Sequence, residues 1–279
     1  MKVLVTGVAG QLGYDVIKEL ESHQIEYLGV DRDTMDLTDE NAVRQVITNF
    51  GPDAVIHCAA YTAVDKAEDD VEACRKVNVD GTCYIAEVCR EINAKMVYIS
   101  TDYVFPGTGE QFYEVDDIKG PQNVYGQSKY DGELEVQRLL EKYFIVRISW
   151  VFGINGNNFI KTMLRLGETR NALTVVADQI GSPTYTYDLA KLLVEMVENE
   201  QYGVYHAHNE GVCSWAEFAT EIFKQANLNV TVIPVPSTEY PTRAARPLNS
   251  RMSTARLTEK GFGLLPIWQD ALKRYIREL

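Results

Sequence analysis

Short apolar runs that alternate with longer helical stretches constrain the fold of this chain more than any other feature. The runs are rich in β-branched residues and lack polar alternation, which is typical of parallel strands buried on both faces. The stretches between them are long enough for crossover helices. We therefore predict an α/β fold with a doubly wound parallel sheet. The predicted strands are residues 3–5, 27–30, 54–57, 96–100 and 144–148, and the predicted helices are residues 11–22, 39–49, 71–92 and 124–142.

A glycine-rich turn follows the first predicted strand and opens the first predicted helix. Gly7, Gly10 and Gly13 have the spacing Gly-x-x-Gly-x-x-Gly. Glycine permits a tight turn and a close approach of the backbone to a pyrophosphate, and the free N–H groups of the helix N-terminus favour that anion. The turn therefore predicts a dinucleotide-binding domain of Rossmann-like architecture.

An acidic and a basic residue follow the second predicted strand. A carboxylate about 20 residues beyond the glycine turn accepts hydrogen bonds from a ribose 2′-hydroxyl, whereas a guanidinium suits a 2′-phosphate. Asp31 thus favours NADH and Arg32 favours NADPH, so both cofactors stay open and we expect dual use. We expect the third and fourth strands to end at the edge of the sheet where ligands bind. The residues expected at these two strand ends are Asp36, Leu37, Ala59, Ala60, Tyr61 and Thr62.

Three Tyr-x-x-x-Lys pairs occur in the chain. This spacing places both side chains on one face of a helix, where the ammonium favours the phenolate and allows proton transfer near neutral pH. Only the pair Tyr125/Lys129 opens a helix after a long irregular segment, and Thr101 ends the preceding strand. We expect these three residues around one reacting carbonyl oxygen. The other two pairs are Tyr14/Lys18, whose tyrosine we expect to pack, and Tyr187/Lys191.

The strict alternation loosens after residue 150, and this predicts two regions. Residues 1–150 form the predicted dinucleotide-binding domain, to which residues 171–200 are expected to add a strand and a helix. Residues 151–170 and 201–279 form a smaller C-terminal region that we expect to bind substrate over one end of the sheet. Eight Lys and Arg against two acids between residues 243 and 277 suit recognition of a diphosphate.

Charge and composition exclude several classes of protein. A net charge of −13 argues against a nucleic-acid binder. No apolar run approaches the ~20 residues of a transmembrane helix, and we expect no membrane partner and no signal peptide. The five cysteines include no Cys-x-x-Cys pair, which favours reduced thiols in the cytoplasm. His206 and His208 have no further ligand cluster beside them, so we predict no metal site.

Specific strings throughout the chain, together with Thr101 and Tyr125/Lys129, give it a family resemblance. It resembles the dTDP-4-dehydrorhamnose reductase family of extended short-chain dehydrogenases/reductases. The strings that carry the resemblance are residues 63–68, 100–105, 123–126, 149–151, 156–159, 178–184 and 246–251.

The resemblance implies reduction of the 4-keto group of dTDP-4-dehydro-L-rhamnose by NADPH or NADH, for nucleotide-sugar and cell-surface polysaccharide synthesis. It implies Tyr125 as proton donor, Lys129 as ligand of the nicotinamide ribose, and Thr101 as the group that orients the keto oxygen. Implied cofactor contacts are Gln11, Leu12, Asp31, Asp36, Leu37, Ala60, Tyr61 and Thr62. Implied substrate contacts are Asp102, Tyr103, Trp150, Asn158, Arg246 and Arg251.

The chain departs from the family at the positions by which some members hold Mg²⁺ between two subunits. These read Asp15, Tyr187–Asp188 and Glu278 here, so a metal-bridged dimer is in doubt and monomer and homodimer both stay open. Two other functions also stay open. One is a different nucleotide-sugar reductase or epimerase, and the other is a regulatory protein without catalysis, since a fold does not fix function.

Overall fold

The computed structural model describes residues 1–279. Fourteen strands and eleven α-helices follow one another along the chain. The strands are β1 (Lys2–Thr6), β2 (Glu26–Val30), β3 (Ala54–His57), β4 (Lys95–Thr101), β5 (Tyr143–Ile148), β6 (Val151–Phe152), β7 (Ala172–Val176), β8 (Ile180–Gly181), β9 (Thr184–Tyr185), β10 (Gly203–His206), β11 (Asn209–Glu210), β12 (Cys213–Ser214), β13 (Thr231–Val235) and β14 (Leu265–Ile267).

The helices lie mostly where the sequence predicts them. The long central helix predicted at residues 71–92 contains a π-helical turn, Lys76–Asp80. The helices are α1 (Gln11–Ser22), α2 (Glu40–Phe50), α3 (Val64–Ala67), α4 (Val71–Arg75), α5 (Gly81–Glu91), α6 (Val124–Leu139), α7 (Phe159–Gly167), α8 (Thr186–Glu198), α9 (Trp215–Gln225), α10 (Ala255–Glu259) and α11 (Trp268–Glu278).

Six parallel strands form the central sheet in the order β10-β5-β4-β3-β1-β2. The chain runs outward from β1 in both directions, so the order reverses between β1 and β3. In open α/β sheets this reversal creates a crevice at the carboxyl ends of the strands. The predicted α/β class with a doubly wound parallel sheet is confirmed.

Apolar residues cover both faces of this sheet. One core joins the sheet to α1 and α8 through residues such as Val16 and Leu193. The other joins it to α2, α5 and α6 through residues such as Ile47, Ile85 and Val136. Burial of both faces explains why the strands carry continuous apolar runs rather than an alternating pattern.

A smaller region built from residues after β5 has its own core. Aromatic side chains of β6, β9, α9 and α11 pack there, among them Phe152, Tyr185, Phe218 and Tyr275. Its short strands pair in twos, including β7 with β13 and β6 with β9. Helix α8 packs instead on the large sheet, so the chain passes between the two regions more than once.

Three strand expectations need correction. No strand ends at Asp36, because β2 ends at Val30 and the loop before α2 follows. In that loop the carboxylate of Asp36 accepts hydrogen bonds from the backbone and hydroxyl of Thr38. Residues 59–62 consequently follow the third strand of the chain, not a fourth. The strand expected within residues 171–200 is β7, which pairs with β13 and does not add to the large sheet. The sixth strand of that sheet is β10, within the segment assigned to the smaller region.

Candidate active site

One large cavity lies at the carboxyl ends of the central strands, between the sheet and the smaller region. Its volume is about 1690 Å³, more than the ~300–1,000 Å³ of a typical small-molecule site. The space is therefore sufficient for two ligands side by side. Lining residues that the sequence predicts are Gly7, Gly10, Gln11, Leu12, Gly13, Asp31, Arg32, Asp36, Leu37, Ala60, Tyr61, Thr62, Thr101, Asp102, Tyr103, Tyr125, Lys129, Trp150 and Arg246.

The glycine turn forms one end of the cavity. Gly7 has φ +71°, and a Cβ there would lie 2.8 Å from the backbone of Ala59. A Cβ on Gly13 would lie 2.3 Å from the carbonyl oxygen of Gly7. Gly10, which precedes α1, provides no side-chain cap. The first amides of α1 thus stay available to an anion in the cavity.

The end of β2 presents Asp31 and Arg32 to the cavity. The Asp31 carboxylate accepts hydrogen bonds from the backbone N–H of Asp33 at 3.1 Å and from the hydroxyl of Thr34 at 3.2 Å. Arg32 is exposed and forms no ion pair within the chain. Both side chains therefore line the cavity without an ion-pair partner, and their contact with a ribose stays a prediction.

The loop after β3 is held in place by the π-helical turn. Asn78 accepts a hydrogen bond from the backbone N–H of Tyr61 at 2.8 Å and donates to its carbonyl at 3.1 Å. It also donates to the hydroxyl of Ser128 on α6 at 2.9 Å. Asn78 therefore fixes a stretch of the cavity wall relative to the helix that carries Tyr125 and Lys129.

Two polar residues follow one another where β4 ends. The hydroxyl of Thr101 donates to the carboxylate of Asp102 at 3.0 Å, and the hydroxyl of Ser250 donates to the same carboxylate. Burial raises the pKa of Asp102 to about 6, while these hydrogen bonds act in the opposite direction. The cavity thus contains a carboxylate that changes its charge just below neutral pH.

Helix α6 begins beside this pair. Asn123 caps it by accepting from the backbone N–H of Gly126 at 2.7 Å. A Cβ at position 126 would lie 2.4 Å from the carbonyl oxygen of Tyr103, so glycine lets the first turn of the helix approach Tyr103. The rings of Tyr103 and Tyr125 consequently meet edge to face at 5.6 Å.

Burial raises the pKa of Tyr125 above its ordinary range. The negative charge of Asp102 acts in the same direction, whereas a hydrogen bond with Thr101 lowers the pKa. Tyr125 therefore keeps its proton at neutral pH in the protein and can act as an acid. Any lowering of this pKa by the Lys129 ammonium stays a prediction.

Lys129 lies one turn further along α6 and is 2% exposed. Burial lowers its pKa to about 7, and the carboxylate of Glu133 opposes that shift. That carboxylate is bound in two-pronged fashion by Arg147, with nitrogen–oxygen distances of 2.8 and 2.7 Å. None of the four residues in the other two Tyr-x-x-x-Lys pairs lines the cavity. The side chain of Tyr14, which we expected to pack, is 36% exposed.

The smaller region supplies an aromatic wall that the sequence analysis identifies only in part. Trp150 has φ +48° and stacks on Trp215, with ring centroids 3.7 Å apart. Trp215 in turn contacts Phe159. The two tryptophans are far apart in sequence, so no local pattern could pair them. Further lining residues that sequence reasoning missed are Arg170, Thr174, Gln179, Ile233, Tyr240 and Ser250.

Two predicted substrate residues lie outside the cavity lining. Asn158 caps α7 by accepting from the backbone N–H of Lys161 at 3.0 Å, and its amide donates to Gln11, Gly153 and Tyr275. Arg251 donates to Asn249 at 2.9 Å. Their polar groups thus serve the protein's internal hydrogen bonding, which a string of sequence letters does not reveal.

The basic segment is less concentrated than its sequence indicates. Arg243, Arg256 and Arg274 each pair with a carboxylate elsewhere on the protein. Arg246 is the basic residue of this segment that lines the cavity. It binds Asp65 at 2.6 Å and the hydroxyl of Tyr103 at 3.3 Å. The segment therefore offers one guanidinium to a ligand and not a broad cationic surface.

The acidic positions that correspond to the family's Mg²⁺ site do not fit a metal ion. The two oxygens of Asp188 bind the guanidinium of Arg274 at 2.7 Å each. Asp15 accepts a hydrogen bond from Thr186, and Glu278 accepts one from Tyr185. No cluster of three or more His, Cys, Asp or Glu side chains is placed to hold a metal. His206 and His208 instead hydrogen-bond to backbone carbonyls.

Comparison with known proteins agrees with this geometry. The family of the RmlD substrate binding domain matches residues 1–279. The chain belongs to this family. The predicted family resemblance is therefore confirmed, and it extends over the whole chain.

Named relatives are similar over nearly their full length. A dTDP-4-dehydrorhamnose reductase of Aggregatibacter actinomycetemcomitans is 41% identical over 98% of this chain and 97% of its own. The spore coat polysaccharide biosynthesis protein SpsK of Bacillus subtilis is 40% identical over 99% and 97%. The crystal structure of a dTDP-4-dehydrorhamnose reductase of Bacillus anthracis in complex with NADP has a TM-score of 0.97 and 44% identity, covering 100% of this chain and 99% of that one. No helix of this chain is long and apolar enough to cross a membrane.

Proposed function

We propose that this protein reduces the 4-keto group of dTDP-4-dehydro-L-rhamnose to give dTDP-L-rhamnose, with NADPH or NADH as reductant. The observation that carries the proposal is the convergence of Thr101, Tyr125 and Lys129 on a cavity large enough for a dinucleotide and a nucleotide sugar together. The names of the full-length relatives specify the substrate.

The proposed cofactor site runs from the glycine turn to α6. The free amides in the first turn of α1 would meet the pyrophosphate, and Gly10, Gln11 and Leu12 would lie beside it. Asp31 and Arg32 would contact the adenosine ribose, next to Asp36 and Leu37. Ala60, Tyr61 and Thr62 would cover the middle of the cofactor. When bound there, a reduced nicotinamide supplies the hydride for the reaction.

The protein's own residues would handle the proton and the keto oxygen. The hydroxyl of Tyr125 donates a proton to the oxygen at C4 as negative charge develops on it, and the hydroxyl of Thr101 orients the same oxygen by a hydrogen bond. The ammonium of Lys129 binds the nicotinamide ribose and stabilises the phenolate that remains on Tyr125. Thr101 and Lys129 are buried and Tyr125 is half-buried, and this low exposure to water strengthens each interaction.

The proposed sugar site lies between Asp102, Tyr103 and Trp150. Asp102 is ionised at neutral pH and would accept hydrogen bonds from sugar hydroxyls. Arg246, at the mouth of the same space, would exchange part of its contact with Asp65 for the diphosphate. The aromatic wall of Trp150, Trp215 and Phe159 offers apolar surface to the nucleotide.

A simple assay distinguishes this function from the two alternatives, a different nucleotide-sugar reductase or epimerase and a regulatory protein without catalysis. The purified protein is mixed with NADPH and each of several nucleotide-linked 4-keto-6-deoxy sugars, and loss of the reduced nicotinamide absorbance is followed. Stoichiometric oxidation confined to the thymidine diphosphate sugar supports the proposal. Interconversion of sugars without net oxidation would identify an epimerase, and binding without turnover would identify a regulatory protein.

We further propose a cytoplasmic location, because all five cysteines are free thiols, three of them buried and two partly buried. The chain would act as a monomer or as a homodimer that needs no bridging metal, given that Arg274 neutralises Asp188. Sedimentation with and without a chelator tests the second statement.

A further inference from the structure

The buried ammonium of Lys129 lies directly against an aromatic ring that the proposed mechanism does not use. Its Nζ is 4.0 Å from the ring centroid of Tyr98. Tyr98 belongs to β4 and is fully buried. Its hydroxyl donates to the backbone carbonyl of Lys129 at 3.2 Å, so the same residue contacts both the head group and the backbone of the lysine.

A glycine in the middle of α6 makes this arrangement possible. Glycine inside a helix costs about 1 kcal/mol relative to alanine, so Gly132 requires a reason. A Cβ at this position would lie 2.3 Å from the hydroxyl oxygen of Tyr98 and 2.7 Å from the carbonyl oxygen of Asn78. The absence of a side chain at Gly132 therefore leaves the space in which the ring of Tyr98 packs against the helix and contacts Lys129.

The remaining groups near Lys129 supply little negative charge. Burial lowers the pKa of His57 to about 3 and raises that of Cys58 to about 12, so both are neutral near pH 7. The pKa of Cys74 is also raised. The charge of Glu133 is already matched by Arg147. The titratable groups that surround the ammonium are His57 at the end of β3, Cys58 directly after it, Cys74 on α4, Tyr98 on β4, and Tyr125 and Glu133 on α6.

We propose that Tyr98 is a positioning residue for the reaction: the negative face of its ring holds the Lys129 ammonium in place and keeps it charged where no carboxylate forms an ion pair with it. A cation over an aromatic face gains more in a desolvated site than at the surface. Because the electrostatic contact comes from the ring, phenylalanine supplies it as well as tyrosine. An aliphatic side chain of similar reach does not.

The test compares Tyr98→Leu with Tyr98→Phe as the matched control. Both remove the hydroxyl, but only the first removes the ring. The titration of Lys129 is followed in the full-length protein by NMR of lysine labelled at Cε, with the signal assigned by its loss in Lys129→Met. In Tyr98→Leu we expect the pKa of Lys129 to fall by about one unit, a tenfold loss of the ammonium above pH 7. Tyr98→Phe keeps the wild-type titration.

A second variant keeps the test valid if Tyr98→Leu does not fold. Pentafluorophenylalanine at position 98 keeps a ring of similar shape but withdraws charge from its face. It should lower the pKa of Lys129 relative to phenylalanine at the same position. The proposal is overturned if the leucine or fluorinated variant titrates like the wild type, or if Tyr98→Phe shifts as far as Tyr98→Leu, which would make the hydroxyl the effective group.

The inference rests on the proposed role of Lys129, and the two fail in different ways. If Lys129→Met keeps full turnover, the proposed function of Lys129 is wrong, whereas the NMR titration still tests its contact with Tyr98. If both hold, the alkaline limb of the kcat profile moves to lower pH in Tyr98→Leu, in parallel with the titration, and stays in place in Tyr98→Phe.

Discussion

Helix α6 and helices α1 and α8 contain the same Tyr-x-x-x-Lys pattern in different surroundings. On α1 and α8 the tyrosines are 36% and 41% exposed, and each lysine lies over the ring of its own partner, Lys18 at 4.5 Å from Tyr14 and Lys191 at 4.2 Å from Tyr187. On α6 the lysine is buried and lies over a ring from another element of the fold. The hydroxyl of Tyr125 is thereby left to the cavity.

This difference shows that spacing alone does not define the chemistry of the pair. At the surface the lysine and tyrosine satisfy each other, and water screens the ammonium. In the cavity, burial changes the pKa of both groups, and their neighbours Thr101 and Asp102 add further hydrogen bonds and charge. The predictions below compare a residue in the cavity with the same type of residue outside it.

Tyr125→Phe tests the comparison with the largest expected effect. Loss of the proton donor should lower kcat by ~10²–10⁴-fold, the usual contribution of general acid catalysis, while the affinity for NADPH persists. Tyr14→Phe and Tyr187→Phe, which remove the same hydroxyl outside the cavity, should leave kcat within about twofold. Steady-state kinetics of the three variants measures this. Equal losses in all three would mean that the environment of Tyr125 is not what matters.

Arg246→Ala extends the comparison to the guanidinium groups of the basic segment. Removal of a charge-assisted hydrogen bond to the substrate diphosphate should raise KM by an amount equivalent to roughly 1.5–3 kcal/mol. Arg251→Ala, five residues further on and outside the cavity lining, is the matched control and should change KM little. If KM rises for Arg251→Ala and not for Arg246→Ala, the diphosphate lies elsewhere than proposed.

Asp102→Asn compares an unpaired buried carboxylate with Asp188, whose charge is matched by Arg274. Because the folded pKa of Asp102 is about 6 and its ordinary value is 3.8, the folded state binds more protons between these values and stability falls as pH rises through them. Asparagine removes this loss, so the variant should gain about 3 kcal/mol relative to wild type at pH 7 and nothing at pH 3.

Thermal or urea unfolding at both pH values measures the gain in stability of Asp102→Asn. In the same variant kcat/KM at pH 7 should fall, because a hydrogen-bond acceptor for the sugar is lost. Asp188→Asn should instead destabilise the protein at pH 7, since it leaves Arg274 without its carboxylate. A stability of Asp102→Asn that does not depend on pH would contradict the raised pKa.

Substitutions at Asp31 and Arg32 should have the smallest effect, which is a change in cofactor preference. Both residues line the cavity, and neither has an ion-pair partner. We predict use of both NADPH and NADH with less than about tenfold discrimination, or ~1.4 kcal/mol. Asp31→Ala should shift the preference toward NADPH, and Arg32→Ala toward NADH. KM values for both cofactors in both variants measure this. An unchanged ratio would show that other residues contact the ribose.

The sequence predicts the parts of this molecule whose signals are local. The bounds of α1, the positions of strands β1 to β5 along the chain and the glycine turn follow from apolar runs and steric limits that act over a few residues. The sequence also places Tyr125, Lys129 and Thr101 together, because one helix and one strand end carry them, and all three line the cavity. The placement of β10 and β7 was not predictable, since short apolar strands do not reveal which partner they join.

Residues whose contacts lie far away in the sequence are the ones that sequence reasoning does not place. Asn158 caps a helix and contacts Tyr275, and Arg243 and Arg256 of the basic segment pair with acids from elsewhere in the chain. The sequence does not single out Trp215 or Tyr98, because each contacts a residue on a separate element. Trp215 stacks on Trp150, and Tyr98 lies against Lys129. Such pairings are set by tertiary packing and have no periodic signal.

The most direct test of the account follows a deuterium label from the reduced cofactor. NADPH deuterated at the transferable position of the nicotinamide is mixed with dTDP-4-dehydro-L-rhamnose and wild-type protein, Tyr14→Phe or Tyr125→Phe, and the product sugar is examined by NMR. The account predicts one deuterium at C4 with the wild type and with Tyr14→Phe, and almost none with Tyr125→Phe over the same time. Label at another carbon, no transfer by the wild type, or equal transfer by all three proteins would contradict it.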